Sequence, residues 1–114
     1  MVCAFSKQQI GIDIEEINAI DYSLFENVFS SREFAEINSH GLDKFYEFWT
    51  KKESVIKAIG KGMTIPLTDI DVVNSYTTYD DATWFTKSFK IDNKYCSITA
   101  KHDLVRVQET HVLF

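Results

Sequence analysis

The segment from residue 42 to residue 59 constrains the fold most, because its apolar residues recur with the period of an α-helix. At roughly 100° per residue, five positions of this helix fall within about 40° of one line: Phe45, Trp49, Lys52, Ile56 and Ile59. Gly60 and Gly62 end the predicted helix, and Pro66 prevents its resumption. A helix with one apolar side must pack against a second layer, so the rest of the chain has to supply that layer.

Charged residues interrupt the pattern of this helix. Lys52 lies in the middle of the apolar side, where a charge is costly unless it is paired or reaches solvent. Glu53 borders that side, and Lys57 and Lys61 follow at successive intervals of four residues. A surface ion pair between Glu53 and Lys57 is the simpler interpretation, but it does not account for Lys52.

Residues 10–14 predict a short strand that ends among acidic residues. Asp13 and Glu15 alternate along it, so their side chains leave from the same face, which they share with Gly11. Gly11 has no side chain to block an approaching group, and a pair of carboxylates suits Mg²⁺. Solvated acids at a strand end are the alternative. If the helix edge faces this strand, a metal and phosphates between them would engage Glu53 and the lysines.

The remaining pattern predicts an α+β fold, in which an antiparallel sheet packs against the long helix and shorter helices. A capping box at Ser30 and Glu33 starts a helix that ends near Gly41. Residues 22–29 have helical spacing. The predicted strands are residues 2–5, 10–14, 70–73, 83–91, 95–100 and 104–113. We expect one domain over residues 1–114.

Composition excludes several classes of function. The net charge of −5 argues against nonspecific nucleic-acid binding, and no apolar run approaches the ~20 residues of a membrane helix. Cys3 and Cys96 lack metal-ligand or redox spacing, so we expect buried, reduced side chains in a cytoplasmic protein. Two Trp, five Tyr and nine Phe predict either a dense core or a surface that a partner covers.

Two segments resemble motifs of the 4′-phosphopantetheinyl transferase superfamily, and within it the Sfp type. The motif G-[aliphatic]-D-[IV]-E is matched by GIDIE at residues 11–15. The motif [FW]-x-x-K-E-[SA]-x-x-K-A is matched by WTKKESVIKA at residues 49–58, and GKGM and IPL downstream are also similar. The resemblance is clearest over residues 2–67 and corresponds to the second half of these long, two-half enzymes.

The resemblance implies transfer of 4′-phosphopantetheine from coenzyme A to a serine of an acyl or peptidyl carrier protein, with 3′,5′-ADP leaving. Such enzymes serve fatty acid, polyketide or nonribosomal peptide biosynthesis. The resemblance implies that Asp13, Glu15 and Glu53 bind Mg²⁺, with Mn²⁺ as a substitute. It also implies that Glu53 accepts the serine proton and that Lys57 contacts the pyrophosphate. Lys52 and Lys61 are further candidates for contact with coenzyme A.

The chain departs from the Sfp type in lacking the Ser-His motif that helps to hold coenzyme A, which would precede Val2. His102 is the nearest replacement, because the short holo-acyl-carrier-protein synthases carry a Ser-His pair near that late strand. We therefore expect a homodimer or homotrimer in which the Asp13 face approaches the late strands of a neighbour. The alternatives are a noncatalytic half-domain that binds coenzyme A or a carrier protein, a fragment of a longer enzyme, or another enzyme that binds a nucleotide diphosphate through a metal.

Overall fold

A four-stranded antiparallel sheet with helices against one face forms the described part of the chain and confirms the predicted α+β fold. The computed structural model describes residues 10–60 and 65–101. In chain order the strands are β1 (Ile10–Glu16), β2 (Tyr76–Tyr79), β3 (Ala82–Ile91) and β4 (Lys94–Ala100), and their order in the sheet is β1-β4-β3-β2. The strands predicted at residues 2–5 and 104–113 lie outside the described residues.

Two α-helices follow β1, and both begin and end close to the predicted positions. They are α1 (Ser31–His40) and α2 (Leu42–Ile59), preceded by 3₁₀ turns over Tyr22–Val28. The capping box is confirmed, since the Ser30 hydroxyl accepts the Glu33 N–H and the Glu33 carboxylate accepts the Ser30 N–H. No helix in the described part of the chain is both long and apolar enough to cross a membrane.

The strand predicted at residues 70–73 is wrong, although Ile70 and Val72 are buried as expected of a strand. The Val72 N–H donates to the Glu33 carboxylate, at 2.8 Å, and therefore does not pair with a neighbouring strand. The sheet gains β2 instead, which was not predicted. A two-residue turn joins β2 to β3, and both of its residues, Asp80 and Asp81, have positive φ.

The two faces of the sheet differ in chemistry. Small and polar side chains lie on the face toward α2: Gly11, Asp13, Thr86, Ser97 and Thr99. Strand alternation places apolar side chains on the opposite face: Ile12, Ile14, Phe85, Phe89, Ile91 and Ile98. Among the described residues this outer apolar face is partly open to solvent: Ile14 and Ile91 are 57 % and 61 % exposed, whereas Phe85, Phe89 and Ile98 are half-buried.

The hydrophobic core is built around α2 and includes Trp84 of β3. There Phe45 is the centre of an aromatic cluster with ring centroids 5.0–6.1 Å from its own. The other rings belong to Tyr22, Phe25, Phe29, Tyr46 and Trp49. The predicted apolar side of α2 is therefore in the core, while a second, more polar side of the same helix rests on the sheet.

Candidate functional site

Gly11 lies directly beneath the backbone of α2. A Cβ atom at this position would be 1.9 Å from the Ser54 carbonyl oxygen and 2.4 Å from the Ala58 nitrogen. The expectation that Gly11 leaves room for an approaching ligand is therefore wrong, because the group that approaches is the helix itself. The close contact also brings Asp13, on the same face of β1, within reach of Lys57.

Asp13 and Lys57 form an ion pair between β1 and α2. The Lys57 Nζ donates to Asp13 Oδ1 at 2.8 Å and lies 3.3 Å from the Ile12 carbonyl oxygen. Asp13 is 5 % exposed, whereas about half of the Lys57 side chain is open to solvent. Its hydrogen bond to Asp13 raises the pKa of Lys57 more than partial burial lowers it, so the ammonium group stays charged.

The second carboxylate oxygen of Asp13 lacks the kind of hydrogen bond that the first one accepts from Lys57. Oδ2 is buried and has no hydrogen-bond partner among the described residues. A buried carboxylate oxygen without a donor is costly, and such an oxygen is also the type of ligand that hard divalent cations prefer.

Two further carboxylates border this pair. Burial raises the pKa of Glu15, and the negative charges of Asp13 and Glu53 raise it further. The pKa of Glu53 is also raised, by burial first and then by the charge of Asp13. Among residues 10–60 and 65–101, three carboxylates therefore interact with one ammonium group, that of Lys57, which leaves a local excess of negative charge.

The structure thus brings Asp13, Glu15, Glu53 and Lys57 into one electrostatic cluster. Their carboxylates do not meet at one point: within residues 10–60 and 65–101, no three Asp, Glu, His or Cys side chains are close enough to hold a metal ion. The assignment of a metal to Asp13, Glu15 and Glu53 stays a prediction.

Lys52 does not belong to this cluster. It is fully buried, and its Nζ lies 2.8 Å from a carboxylate oxygen of the equally buried Glu33. The same ammonium donates to the carbonyl oxygens of Leu67, at 2.9 Å, and of Ile70. The predicted contact between Lys52 and coenzyme A is therefore contradicted, because the group is enclosed and its donors are used within the protein.

Glu33 is the partner of Lys52, which the sequence did not predict. Its capping-box position was visible in the sequence, but its second role depends on how α1 packs against α2. The two carboxylate oxygens of Glu33 accept from the Ser30 N–H, the Val72 N–H and Lys52. Burial lowers the pKa of Lys52, and the adjacent Glu33 carboxylate opposes that shift.

Two other predicted contacts to coenzyme A, Lys61 and His102, lie outside the described residues and stay predictions. Cys96 is a free thiol, as expected, but it is half-buried on the outer apolar face rather than fully enclosed.

A model of the 4′-phosphopantetheinyl transferase superfamily matches residues 9–110, and the chain belongs to this superfamily. The match includes both motifs and all described elements.

Curated 4′-phosphopantetheinyl transferases match part of the chain. The 4′-phosphopantetheinyl transferase gsp of Aneurinibacillus migulanus is 46% identical over 71 residues, which are 59% of this chain and 30% of that protein. The 4′-phosphopantetheinyl transferase Sfp of Bacillus subtilis is 38% identical over 76 residues, 63% of this chain and 34% of Sfp. The chain thus spans about a third of the length of these relatives.

Solved structures with the same fold include two short synthases. The acyl carrier protein synthase of Mycobacterium tuberculosis aligns with a TM-score of 0.59 and 19% identity, over 81% of this chain and 94% of that chain. The holo-[acyl-carrier-protein] synthase of Thermotoga maritima aligns with a TM-score of 0.63 and 14% identity, over 81% and 61% of the two chains. At these identities the likeness establishes the fold.

Proposed function

We propose that this chain transfers 4′-phosphopantetheine from coenzyme A to a serine of an acyl or peptidyl carrier protein and releases 3′,5′-ADP. The observation that carries the proposal is the Asp13 carboxylate. One of its oxygens pairs with Lys57 and the other is buried without a partner, in a chain that carries both superfamily motifs.

Magnesium, or manganese in its place, fits the donor chemistry of this site. Asp13, Glu15 and Glu53 would hold the ion, since all three offer carboxylate oxygens and together exceed the charge of Lys57. A bound cation would neutralise charge on the pyrophosphate oxygens of coenzyme A. The unpartnered Asp13 Oδ2 is the atom that most favours this assignment.

The other groups supply charge stabilisation and a base. Lys57 is half exposed and firmly protonated, so its ammonium can bind the pyrophosphate and stabilise the charge that develops on it. Glu53 has a raised pKa, which makes its carboxylate a stronger base. As the serine oxygen forms a bond to the β-phosphorus, the bond from that phosphorus to the bridging oxygen of 3′,5′-ADP breaks. The serine proton passes to Glu53, directly or through water.

The proposal includes assembly of the chain as a homodimer or homotrimer in the cytoplasm. The Asp13 face was expected to meet the neighbour, but α2 covers that face. The outer apolar face, with Ile12, Ile14 and Ile91 exposed, is the better interface. Lys61 and His102 retain their predicted contacts to coenzyme A. The same apolar face would serve equally in the fragment alternative, where another part of a longer chain covers it.

The test is a transfer assay on an apo carrier protein with coenzyme A and Mg²⁺, read by mass spectrometry. The proposal expects phosphopantetheine on the carrier serine, and loss of nearly all transfer in Asp13→Asn. Asp43→Asn is the control. Asp43 lies on another part of α2 and forms an exposed ion pair with Lys90 of β3. Calorimetric binding of coenzyme A without any transfer would instead support the noncatalytic alternative.

A further inference from the structure

Buried hydroxyl groups connect α2 to the sheet. One series of hydrogen bonds runs from Ser88 to Ser97, 2.9 Å between hydroxyl oxygens, and on to Thr50 of α2 at 2.7 Å. Thr50, like Ser97, is fully buried. The contact therefore includes directional bonds in a place where water cannot replace them.

A second series of hydrogen bonds runs parallel to the first. It links Thr86 to Thr99 at 3.0 Å and Thr99 to Ser54 of α2 at 2.7 Å. Thr99 and Ser54 are fully buried, and Thr86 is nearly so. Each series of hydrogen bonds thus begins on β3, passes through β4 and ends on α2.

The direction of donation in both series is fixed by the ends on the helix. The Ser54 hydroxyl donates to the Lys51 carbonyl oxygen at 2.9 Å. The Thr50 hydroxyl donates likewise to the Tyr46 carbonyl oxygen at 2.9 Å. A hydroxyl has one proton, so Ser54 and Thr50 accept from β4, and the two β4 hydroxyls must donate to the helix.

These contacts lie beside the candidate site. In the sheet register Ser97 is opposite Asp13, and Thr99 is opposite Gly11. Their partners on α2 are one helical turn apart, and Ser54 immediately follows Glu53 in the sequence. The two hydrogen bonds therefore fix the height and rotation of α2 over the stretch of β1 that carries Asp13.

We propose that Ser97 and Thr99 are positioning residues of the transferase site. They hold α2 so that the Lys57 ammonium meets Asp13, and they do not themselves touch substrate. Neither residue lies in the two motifs of the superfamily. Their importance for transfer rests on the function proposed above, whereas their coupling to the pair of Lys57 and Asp13 rests only on the contacts described.

A double-mutant cycle in urea unfolding tests the coupling without any ligand. The change in the unfolding constant caused by Lys57→Ala is measured in the wild-type protein and in the Thr99→Val variant. Thr99→Val removes the hydroxyl and nearly preserves the shape of the side chain. If Thr99 positions Lys57, the factor by which Lys57→Ala raises the unfolding constant becomes at least about twofold smaller in Thr99→Val. Thr99→Ser, which keeps the hydroxyl, restores the wild-type factor. Equal factors in wild type and Thr99→Val would overturn the proposal.

Thr86→Val is the matched control. It removes a hydroxyl from the same series but leaves the bond between Thr99 and Ser54, so its effect should add to that of Lys57→Ala. Coupling as strong as that of Thr99→Val would also refute the proposal. If Thr99→Val does not fold, Ser97→Ala gives the equivalent cycle. The transfer assay is separate: absence of transfer in the wild type refutes the function, while an additive cycle refutes the positioning role.

Discussion

Two lysines five positions apart on α2 have different roles because of the residues that face them. Lys52 meets the buried Glu33 and two carbonyl oxygens, and it joins α1 to α2 inside the protein. Lys57 meets Asp13 at an edge that solvent reaches. Only Lys57 combines a firmly held proton with access from outside, and this is what contact with a pyrophosphate requires.

Lys57→Ala should cost more stability than its exposure alone indicates. An exposed lysine on a helix changes stability by within ~0.5 kcal/mol, but this substitution leaves the Asp13 carboxylate buried and unpaired, so we expect a loss of ~1–3 kcal/mol. Urea unfolding measures the loss. Lys90→Ala, which breaks an exposed pair with Asp43, is the control and should stay within ~0.5 kcal/mol. Equal losses for both variants would contradict the account of Asp13.

Glu15→Gln should stabilise the metal-free protein at neutral pH. The folded-state pKa of Glu15 is raised above 4.5, so its neutral form is favoured by folding and its ionised form costs stability. The gain in the free energy of unfolding from Glu15→Gln should appear as pH rises through that raised pKa. It should vanish below about pH 4, where Glu15 is itself protonated. Solvent screening keeps it below ~1 kcal/mol.

Thermal unfolding between pH 3 and pH 8 measures the effect of Glu15→Gln. Glu16→Gln is the control, since Glu16 alternates to the opposite face of β1. The same Glu15 variant should weaken Mn²⁺ binding in calorimetry. A loss of stability at pH 7, or unchanged affinity for Mn²⁺, would count against the charge cluster.

At the scale of elements, the contact between β1 and α2 creates the site, and it depends on Gly11. We expect Gly11→Ala to destabilise the protein by more than ~3 kcal/mol, because its Cβ would overlap backbone atoms of Ser54 and Ala58 that cannot move aside. Gly60→Ala is the comparison. Gly60 has a positive φ, and no described atom lies within 4 Å of a Cβ at this position, so backbone strain alone should cost roughly 1–2 kcal/mol. If urea unfolding shows that Gly11→Ala destabilises the protein less than Gly60→Ala, the helix is able to move away from β1.

The limits of helices could be predicted from the sequence because their causes are local. The capping box at Ser30 and the glycine at residue 60 act on their own turns, and both were found where expected. The buried face of β1 could not be predicted in the same way. Alternation separates Ile12 and Ile14 from Gly11 and Asp13, but which set faces the helix depends on how closely the helix approaches.

The candidate site shows the same division. Motif spacing predicted the grouping of Asp13, Glu15, Glu53 and Lys57, and the structure places them in one electrostatic cluster. Lys52 was misassigned because its partner, Glu33, is nineteen positions away and belongs to another helix. A sequence periodicity shows that a charge lies in an apolar face, but not which distant residue neutralises it.

At the scale of the whole molecule, exposed apolar residues on the outer face of the sheet, which no described residue covers, favour an interface with a second copy. We predict a dimer or trimer at tens of micromolar in analytical ultracentrifugation, and a shift toward monomer in Ile14→Lys, which places a charge on the outer apolar face. Leu24→Lys is the control, because Leu24 is 77 % exposed but lies outside the sheet. A wild-type monomer would remove the oligomer from the proposal.

The most direct measurement is anomalous diffraction from crystals grown with coenzyme A and Mn²⁺. We predict one manganese peak bound by Asp13, including the Oδ2 that has no partner among the described residues, together with Glu15 and Glu53. We also predict that the Lys57 ammonium contacts the pyrophosphate. A pyrophosphate bound elsewhere, with no manganese at Asp13 and the ion pair of Lys57 and Asp13 intact, would contradict the account.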